Sequence, residues 1–202
     1  MKLRLSIFFI FISVILFSQG GFKRQFKLPG VLNHKSLGIY EKSDGSYIAG
    51  GIIFDTVQGY TSFRLVIMGL DAYGQPQWTK KYGNHKFQFF EKFAAPWFYF
   101  DGNFIYHAGS VKDSLNEIYG VLMKFDLNGD TVWQKTYKDT LYNVSPEMVT
   151  KSVDGGFLLT GTWINPTGDC PALLIKTDIN GNELWRKEIH KGGKNYQECK
   201  AL

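Results

Sequence analysis

Residues 173–189 read LLIKTDINGNELWRKEI, and related phrases stand at residues 121–137 (VLMKFDLNGDTVWQKTY) and 65–82 (LVIMGLDAYGQPQWTKKY). In each phrase a Gly follows an Asp by three residues, and a Trp follows the same Asp by seven. The aspartates recur at intervals of 55 residues (71 to 126) and 52 residues (126 to 178), so the chain contains a threefold internal repeat. The matched residues are Asp71, Gly74 and Trp78; Asp126, Gly129 and Trp133; and Asp178, Gly181 and Trp185.

A second phrase shares this period. An Asp-Gly pair lies between two apolar, β-rich runs in each unit, at Asp44, Asp101 and Asp154. Asp-Gly is a strong hairpin signal because Gly adopts positive φ without steric cost, and Asp accepts hydrogen bonds from the backbone just ahead of it. Each unit is therefore predicted to contain two hairpins, which means four short strands. In the third unit we expect strands at residues 147–153, 156–163, 172–178 and 183–190.

A single four-stranded sheet leaves apolar faces open to water. Repeating it about every 54 residues lets neighbouring sheets cover one another, as in the blades of a propeller. The Trp that begins each last strand is predicted to pack between adjacent sheets. The expected fold is all-β and propeller-like, with three four-stranded antiparallel blades at about residues 35–84, 85–140 and 141–193. Residues 194–202 would begin the first strand of a fourth.

Three blades are fewer than the four to eight that closed propellers typically contain. This shortfall leaves three alternatives open: the chain is a piece of a longer protein, several copies assemble, or the arc stays open. The sequence analysis favours the first alternative.

The N-terminal residues have the three parts of a secretory signal peptide. Lys2 and Arg4 precede an apolar run from Leu5 to Phe17, and small or polar residues follow. The run is too short for a typical membrane span of about 20 residues. We therefore expect residues 1–20 to be removed, leaving one exported repeat domain at residues 21–202 with no transmembrane span.

Charge and cysteine content add weak constraints. The chain has 23 Lys and Arg against 18 Asp and Glu, a net charge of +5, but the cations are dispersed. Nucleic acid is therefore not an expected partner. Export would allow Cys170 and Cys199 to form a disulfide, and the alternative is two small buried residues.

The repeat resembles that of quinoprotein-dehydrogenase-like propellers, in which a D-x-x-G-x-x-x-W phrase docks one blade on the next. It resembles still more closely the secreted repeat proteins of Bacteroidetes that travel through the type IX secretion system. The resemblance covers about residues 35–200 and rests on phrases such as LLIKTDINGNELW and VDGGF. It implies a propeller and export to the cell surface or the medium, and it implies no reaction.

No common catalytic or nucleotide-binding motif is present, and we expect no catalytic residue, cofactor or metal site. The four histidines are far apart in sequence, at residues 34, 85, 107 and 190. The turns DLNGD and DINGNE lack the spacing and the glutamate of a calcium loop. Around residues 87–100 the second unit is unusually aromatic. Trp97 and Tyr99 there either fill the blade core or form a surface for a sugar or a protein.

Three functions remain open from the sequence. The favoured one is a non-catalytic exported module for binding, adhesion or scaffolding, with a glycan or a surface protein as partner. The second is part of a quinoprotein-like or glycan-active propeller enzyme, which would need carboxylates or a metal converging on one face. The third is a structural subunit of an envelope assembly, which would show a large exposed apolar face.

Overall fold

A computed structural model describes residues 28, 30–57, 59–90, 98–164 and 170–189, except for the side chains of residues 34, 37, 57 and 90. These residues form thirteen strands in three antiparallel sheets, so the predicted all-β, propeller-like fold is confirmed. Within the same residues, no helix has the length and apolar character needed to cross a membrane. The predicted signal peptide, Cys199 and Trp97 lie outside the described residues.

The first sheet is a simple meander in which each strand pairs with the next along the chain. Two of its three hairpins contain the turn phrases, Asp-Gly at residues 44–45 and D-x-x-G at residues 71–74. The strands are β1 (Val31–Glu41), β2 (Tyr47–Val57), β3 (Tyr60–Leu70) and β4 (Pro76–Tyr82).

The second sheet has five strands instead of the four that were predicted. Two short segments, β5 and β6, pair with opposite ends of β7. Together they take the place of the first strand of the other sheets. The segment between them, residues 91–97, lies outside the described residues. The strands are β5 (Phe87–Phe90), β6 (Phe98–Phe100), β7 (Phe104–Asp113), β8 (Ile118–Asp126) and β9 (Thr131–Tyr137).

The third sheet is again a four-stranded meander. Its first strand starts four residues earlier than predicted, because pairing with the next strand continues as far as Asn143 opposite Ile164. A bulge between Pro146 and Met148 interrupts this pairing, at a position where Pro has no N–H to donate. The strands are β10 (Asn143–Lys151), β11 (Phe157–Ile164), β12 (Ala172–Thr177) and β13 (Glu183–Ile189).

The three described sheets stand in an open row, and one apolar core fills each junction. Sheet 2 is covered on both faces, so its central strands β7 and β8 are buried almost throughout. A strand with both faces covered reads as a continuous apolar run, as in YGVLMKF. The first core joins sheets 1 and 2 through Ile48, Leu65, Ile67, Phe89, Ile105, Val121 and Phe125. The second joins sheets 2 and 3 through Tyr106, Leu122, Tyr137, Phe157, Leu159, Leu173 and Ile175.

Candidate functional site

The last strand of each sheet is called its outer strand. The outer strand of sheet 1, β4, docks on the D-x-x-G turn of sheet 2. The ring of Trp78 lies against Gly129, where an added Cβ would be 2.9 Å from the ring and where φ is +81°. Only glycine combines that backbone conformation with so close an approach. The Tyr82 hydroxyl donates a hydrogen bond to the Gly129 carbonyl, and Lys80 Nζ donates one to Asp130 Oδ1 at 2.6 Å.

The same contact recurs between sheets 2 and 3. Trp133 lies against Gly181, the Tyr137 hydroxyl donates to the Gly181 carbonyl at 2.8 Å, and Lys135 Nζ donates to Asn182 Oδ1 at 2.8 Å. We call this set of Trp, Lys and Tyr on a D-x-x-G turn the Trp docking contact. The two copies match in geometry, although Lys80 meets a carboxylate and Lys135 a neutral amide, so the repeat encodes how one sheet joins the next.

The repeat aspartates build the turns that receive the Trp. Asp178 Oδ1 accepts hydrogen bonds from the backbone N–H groups of Asn180 and Asn182, at 2.9 and 2.8 Å. Hydrogen bonds from the side chain and backbone of Asn182, among others, lower the pKa of Asp178. Asp71 and Asp126 accept from the backbone two and four residues ahead in the same way. All three turns therefore share one geometry.

The second set of aspartates closes the Asp-Gly hairpins. Asp44, Asp101 and Asp154 each accept a hydrogen bond from the backbone N–H two residues ahead. Lys176 Nζ also donates to Asp154 at 2.9 Å, and this bond is the largest cause of the lowered pKa of Asp154. Asp101 also lies 3.6 Å from Lys151 Nζ of sheet 3. Because these contacts close turns or join sheets, we assign the aspartates a structural role.

Trp185 occupies a different environment from the other two repeat tryptophans. It is 41% exposed, whereas Trp78 and Trp133 are half-buried, and no described residue supplies a D-x-x-G turn against it. Ile189, which stands where the other outer strands have Tyr, is 43% exposed. The outer strand of sheet 3 therefore presents an uncovered apolar surface.

A cleft of about 700 Å³ opens where sheets 2 and 3 meet at one end of the junction. Its lining comes from the β7–β8 turn and the start of β8, from the β9–β10 loop at residues 138–142, and from the start of β10 and the end of β11. The lining residues are Glu117, Ile118, Tyr119, Lys138, Asp139, Thr140, Leu141, Tyr142, Asn143 and Ile164.

Charges in the cleft are balanced in pairs. Lys138 Nζ lies 3.3 Å from the Glu117 carboxylate and 4.3 Å from the centre of the Tyr119 ring. Asp139 lies 3.4 Å from the Arg186 guanidinium. The cleft therefore carries charged hydrogen-bonding groups without an excess of either sign.

Aromatic rings stand beside these pairs. The rings of Tyr142 and Trp163 are 4.8 Å apart between centres, and the Arg186 guanidinium lies 5.7 Å from the Trp163 ring. Glu183 holds Arg186 through two hydrogen bonds of 2.7 and 2.6 Å, and these bonds are the main cause of the raised pKa of Arg186. Arg186 is thus a fixed cation that positions Asp139 and the aromatic pair.

The other residues considered from sequence do not gather into a site. Tyr99 is half-buried against the second core, with its ring centre 5.8 Å from that of Tyr106. His107 is buried beside Phe98, and His85 stacks on Tyr60, so these two histidines lie in separate places. Across the described part of the chain, no three His, Cys, Asp or Glu side chains are grouped to hold a metal ion.

No model of a known protein family matches the chain, and no curated protein matches it either.

Sequence reasoning missed the cleft because its walls come from different units. One local signal was available in DSLNE, at residues 113–117. Asp113 Oδ1 accepts from the N–H groups of Leu115 and Glu117, and Asn116 adopts φ +65° in the place of the repeat glycine. Asn is among the few residues that tolerate this conformation. The β7–β8 turn is therefore a variant of the repeat turn, and it presents Glu117 to the cleft.

Proposed function

We propose that the chain is an exported, non-catalytic binding module and that the cleft between sheets 2 and 3 holds a glycan at the cell surface or outside the cell. The observation that carries this proposal is the lining of the cleft, where aromatic rings lie beside charge-balanced polar groups. Export is supported by the signal-peptide pattern of residues 1–20 and by the resemblance of the repeats to secreted proteins of Bacteroidetes.

The chemistry of a sugar suits such a lining. Its C–H face packs on an aromatic ring, and its hydroxyl groups exchange hydrogen bonds with carboxylates, amides and ammonium groups. Tyr142 offers the ring, while Asp139 and Asn143 offer acceptors beside it. Because each carboxylate already has a cation partner, the cleft has no net charge that a charged ligand must neutralise. A neutral oligosaccharide is therefore the ligand class that fits.

The same pairing argues for binding without catalysis. Glycoside cleavage commonly needs one carboxyl group kept protonated near neutral pH and a second that is ionised. Here both carboxylates of the cleft already form ion pairs, Glu117 with Lys138 and Asp139 with Arg186. We therefore assign neither carboxylate the role of a general acid.

A glycan array probed with the full chain tests this proposal. Replacing Tyr142 or Asn143 by Ala should weaken binding to any captured neutral oligosaccharide, by about tenfold for the lost ring. Tyr73→Ala is the matched control, because Tyr73 lies in an exposed turn of sheet 1 far from the cleft. An array without signal, or binding that both cleft variants leave intact, would contradict the proposal. Release of shortened oligosaccharides would instead favour the enzymatic alternative.

A further inference from the structure

Tyr60 and His85 form an exposed pair of rings at the end of sheet 1 where β2 turns into β3. The ring centres are 4.7 Å apart and the rings are inclined by 21°, so they are stacked. Tyr60 is 60% exposed despite this contact, which leaves most of the residue open to solvent. The cleft is lined from the matching end of sheet 2, where β7 turns into β8. We call the two rings the aromatic platform.

The segment that carries the histidine ring is fixed by Arg64. The Arg64 guanidinium donates hydrogen bonds to the carbonyl of Gly83, at 3.0 Å, and to that of Lys81, at 3.3 Å. It also pairs at 3.3 Å with Asp55, a carboxylate that is 3% exposed. Gly83 lies two residues before His85, so these bonds restrict the backbone that leads to the platform. A ring that is already held in place loses little conformational entropy when a ligand packs on it.

A short stretch of backbone joins the platform to the cleft. His85 lies in the turn between β4 and β5, and β5 begins two residues later at Phe87. Phe87 pairs with Asp113, whose Oδ1 accepts the N–H of Glu117, a cleft residue, at 3.1 Å. Two residues of chain and two backbone pairs of about 5 Å each place the platform within about 20 Å of Glu117. The platform and the cleft are therefore close enough to contact one extended ligand.

We propose that the aromatic platform is a second contact for the oligosaccharide that occupies the cleft. This inference rests on the proposed function, and it adds that the ligand is a chain long enough to reach both places. One sugar unit packs its C–H face on Tyr60, and another packs on Tyr142 in the cleft. Tyrosine suits this contact because its ring offers a flat apolar face and its hydroxyl group can exchange hydrogen bonds with the sugar.

Two contacts on one ligand predict that affinity depends on the length of the ligand. Once one sugar unit lies in the cleft, contact with the platform is intramolecular, and it is lost if the chain is too short to span the distance. Affinity should therefore rise at the length that first reaches Tyr60. The expected rise is about fivefold, the contribution of one aromatic contact.

Isothermal titration calorimetry of the full chain tests this inference. The probes are neutral gluco-, manno-, galacto- and xylo-oligosaccharides, each from the disaccharide to the hexasaccharide. Tyr60→Ala should weaken binding of the longest probe about fivefold and leave the disaccharide unchanged, which also shows that the variant is folded. Tyr60→Phe is the matched control, because it keeps the ring and should bind as the natural chain does. Tyr142→Ala should weaken binding at every length.

The outcomes separate the two proposals. Affinity that does not rise with length, or that Tyr60→Ala leaves intact at every length, would overturn the inference and leave glycan binding in the cleft unaffected. Binding that Tyr60→Ala weakens but Tyr142→Ala does not would place the sugar outside the cleft, and it would overturn the proposed function together with the shared ligand. A chain that binds none of the probes would overturn both.

Histidine NMR reads the same contact without a substitution in the platform. The chain has four histidines, so selective labelling gives few signals, and His85→Asn identifies the signal of His85. The hexasaccharide should shift this signal and the disaccharide should not. His107 is the internal control, because it is buried and should respond to neither probe. A hexasaccharide that binds without shifting the His85 signal would overturn the inference.

Discussion

Trp133 joins two sheets through contacts on both sides of its ring. It lies against Gly181, and its ring centre is 6.4 Å from that of Tyr106 and 6.3 Å from that of Phe157. Trp133→Ala should lower the free energy of unfolding by about 3–5 kcal/mol, because it leaves a cavity at the junction. Trp185→Ala should cost less, about 1 kcal/mol, since Trp185 is 41% exposed and meets no D-x-x-G turn among the described residues. Urea denaturation measures both, and equal losses would contradict the docking contact.

The turn glycine Gly181 allows the ring to approach and also allows an unusual backbone conformation. Gly181→Ala places a Cβ 2.9 Å from the Trp133 ring at φ +77°. Gly59 has a similar φ of +81° with no atom within 4 Å of an added Cβ, so Gly59→Ala carries the backbone cost alone. We expect about 1 kcal/mol for Gly59→Ala and about 1–3 kcal/mol more for Gly181→Ala. If thermal denaturation shows the two variants to be equally stable, then close packing of Trp133 does not require a glycine at residue 181.

At the scale of elements, the D-x-x-G turn is held by its own Asp and by the Tyr of the preceding sheet. Burial, with the nearby carboxylates of Glu183 and Asp178, raises the pKa of Tyr137 above its usual value. Stability from the protonated phenol is therefore complete below about pH 10 and is lost as the pH rises through the folded-state pKa.

Tyr137→Phe should accordingly cost about 1 kcal/mol at pH 7, by removing the hydrogen bond to Gly181. The variant should also lose less stability than the natural chain between pH 9 and about 11, where a tyrosine normally titrates. Tyr60→Phe is the control, because Tyr60 is exposed. Chemical denaturation across this range measures the effect, and parallel pH profiles for Tyr137→Phe and the natural chain would be inconsistent with it.

Turns could be predicted from sequence because their chemistry is local. Asp178 accepts a backbone hydrogen bond from Asn182, and Gly181 supplies the positive φ, all within five residues. The sequence DINGN therefore specifies its own turn geometry. The sequence does not predict that the first strand of sheet 2 is divided into β5 and β6, because both segments depend on pairing with β7. Neither could the cleft, since Glu117 and Ile164 approach only after two sheets have packed together.

At the scale of the whole molecule, the position of a sheet in the row determines how many of its faces are buried by neighbouring sheets. Sheet 2 packs against both neighbours, whereas the last strand of sheet 3 leaves Trp185 and Ile189 exposed. The sequence repeat predicts that sheets stack, since equal units with apolar faces must cover one another. The repeat does not predict how well each face is covered. The three phrases are similar in sequence, but their sheets occupy different positions in the row. Trp133 and Trp185 illustrate this difference.

The difference in how completely the sheets are covered should appear in their rates of amide hydrogen exchange. In a row of repeats, stability is approximately the sum of the units and their interfaces, so a unit with two interfaces opens least often. Amides of β8 should therefore exchange most slowly, and those of β13, an outer strand that leaves Trp185 and Ile189 exposed, should exchange among the fastest of the strand amides. Mass spectrometry of peptides from Ile118–Asp126 and Glu183–Ile189 measures this gradient. Exchange that is uniform across the three sheets would instead mean that the row unfolds as one unit, with interfaces too strong for position to matter.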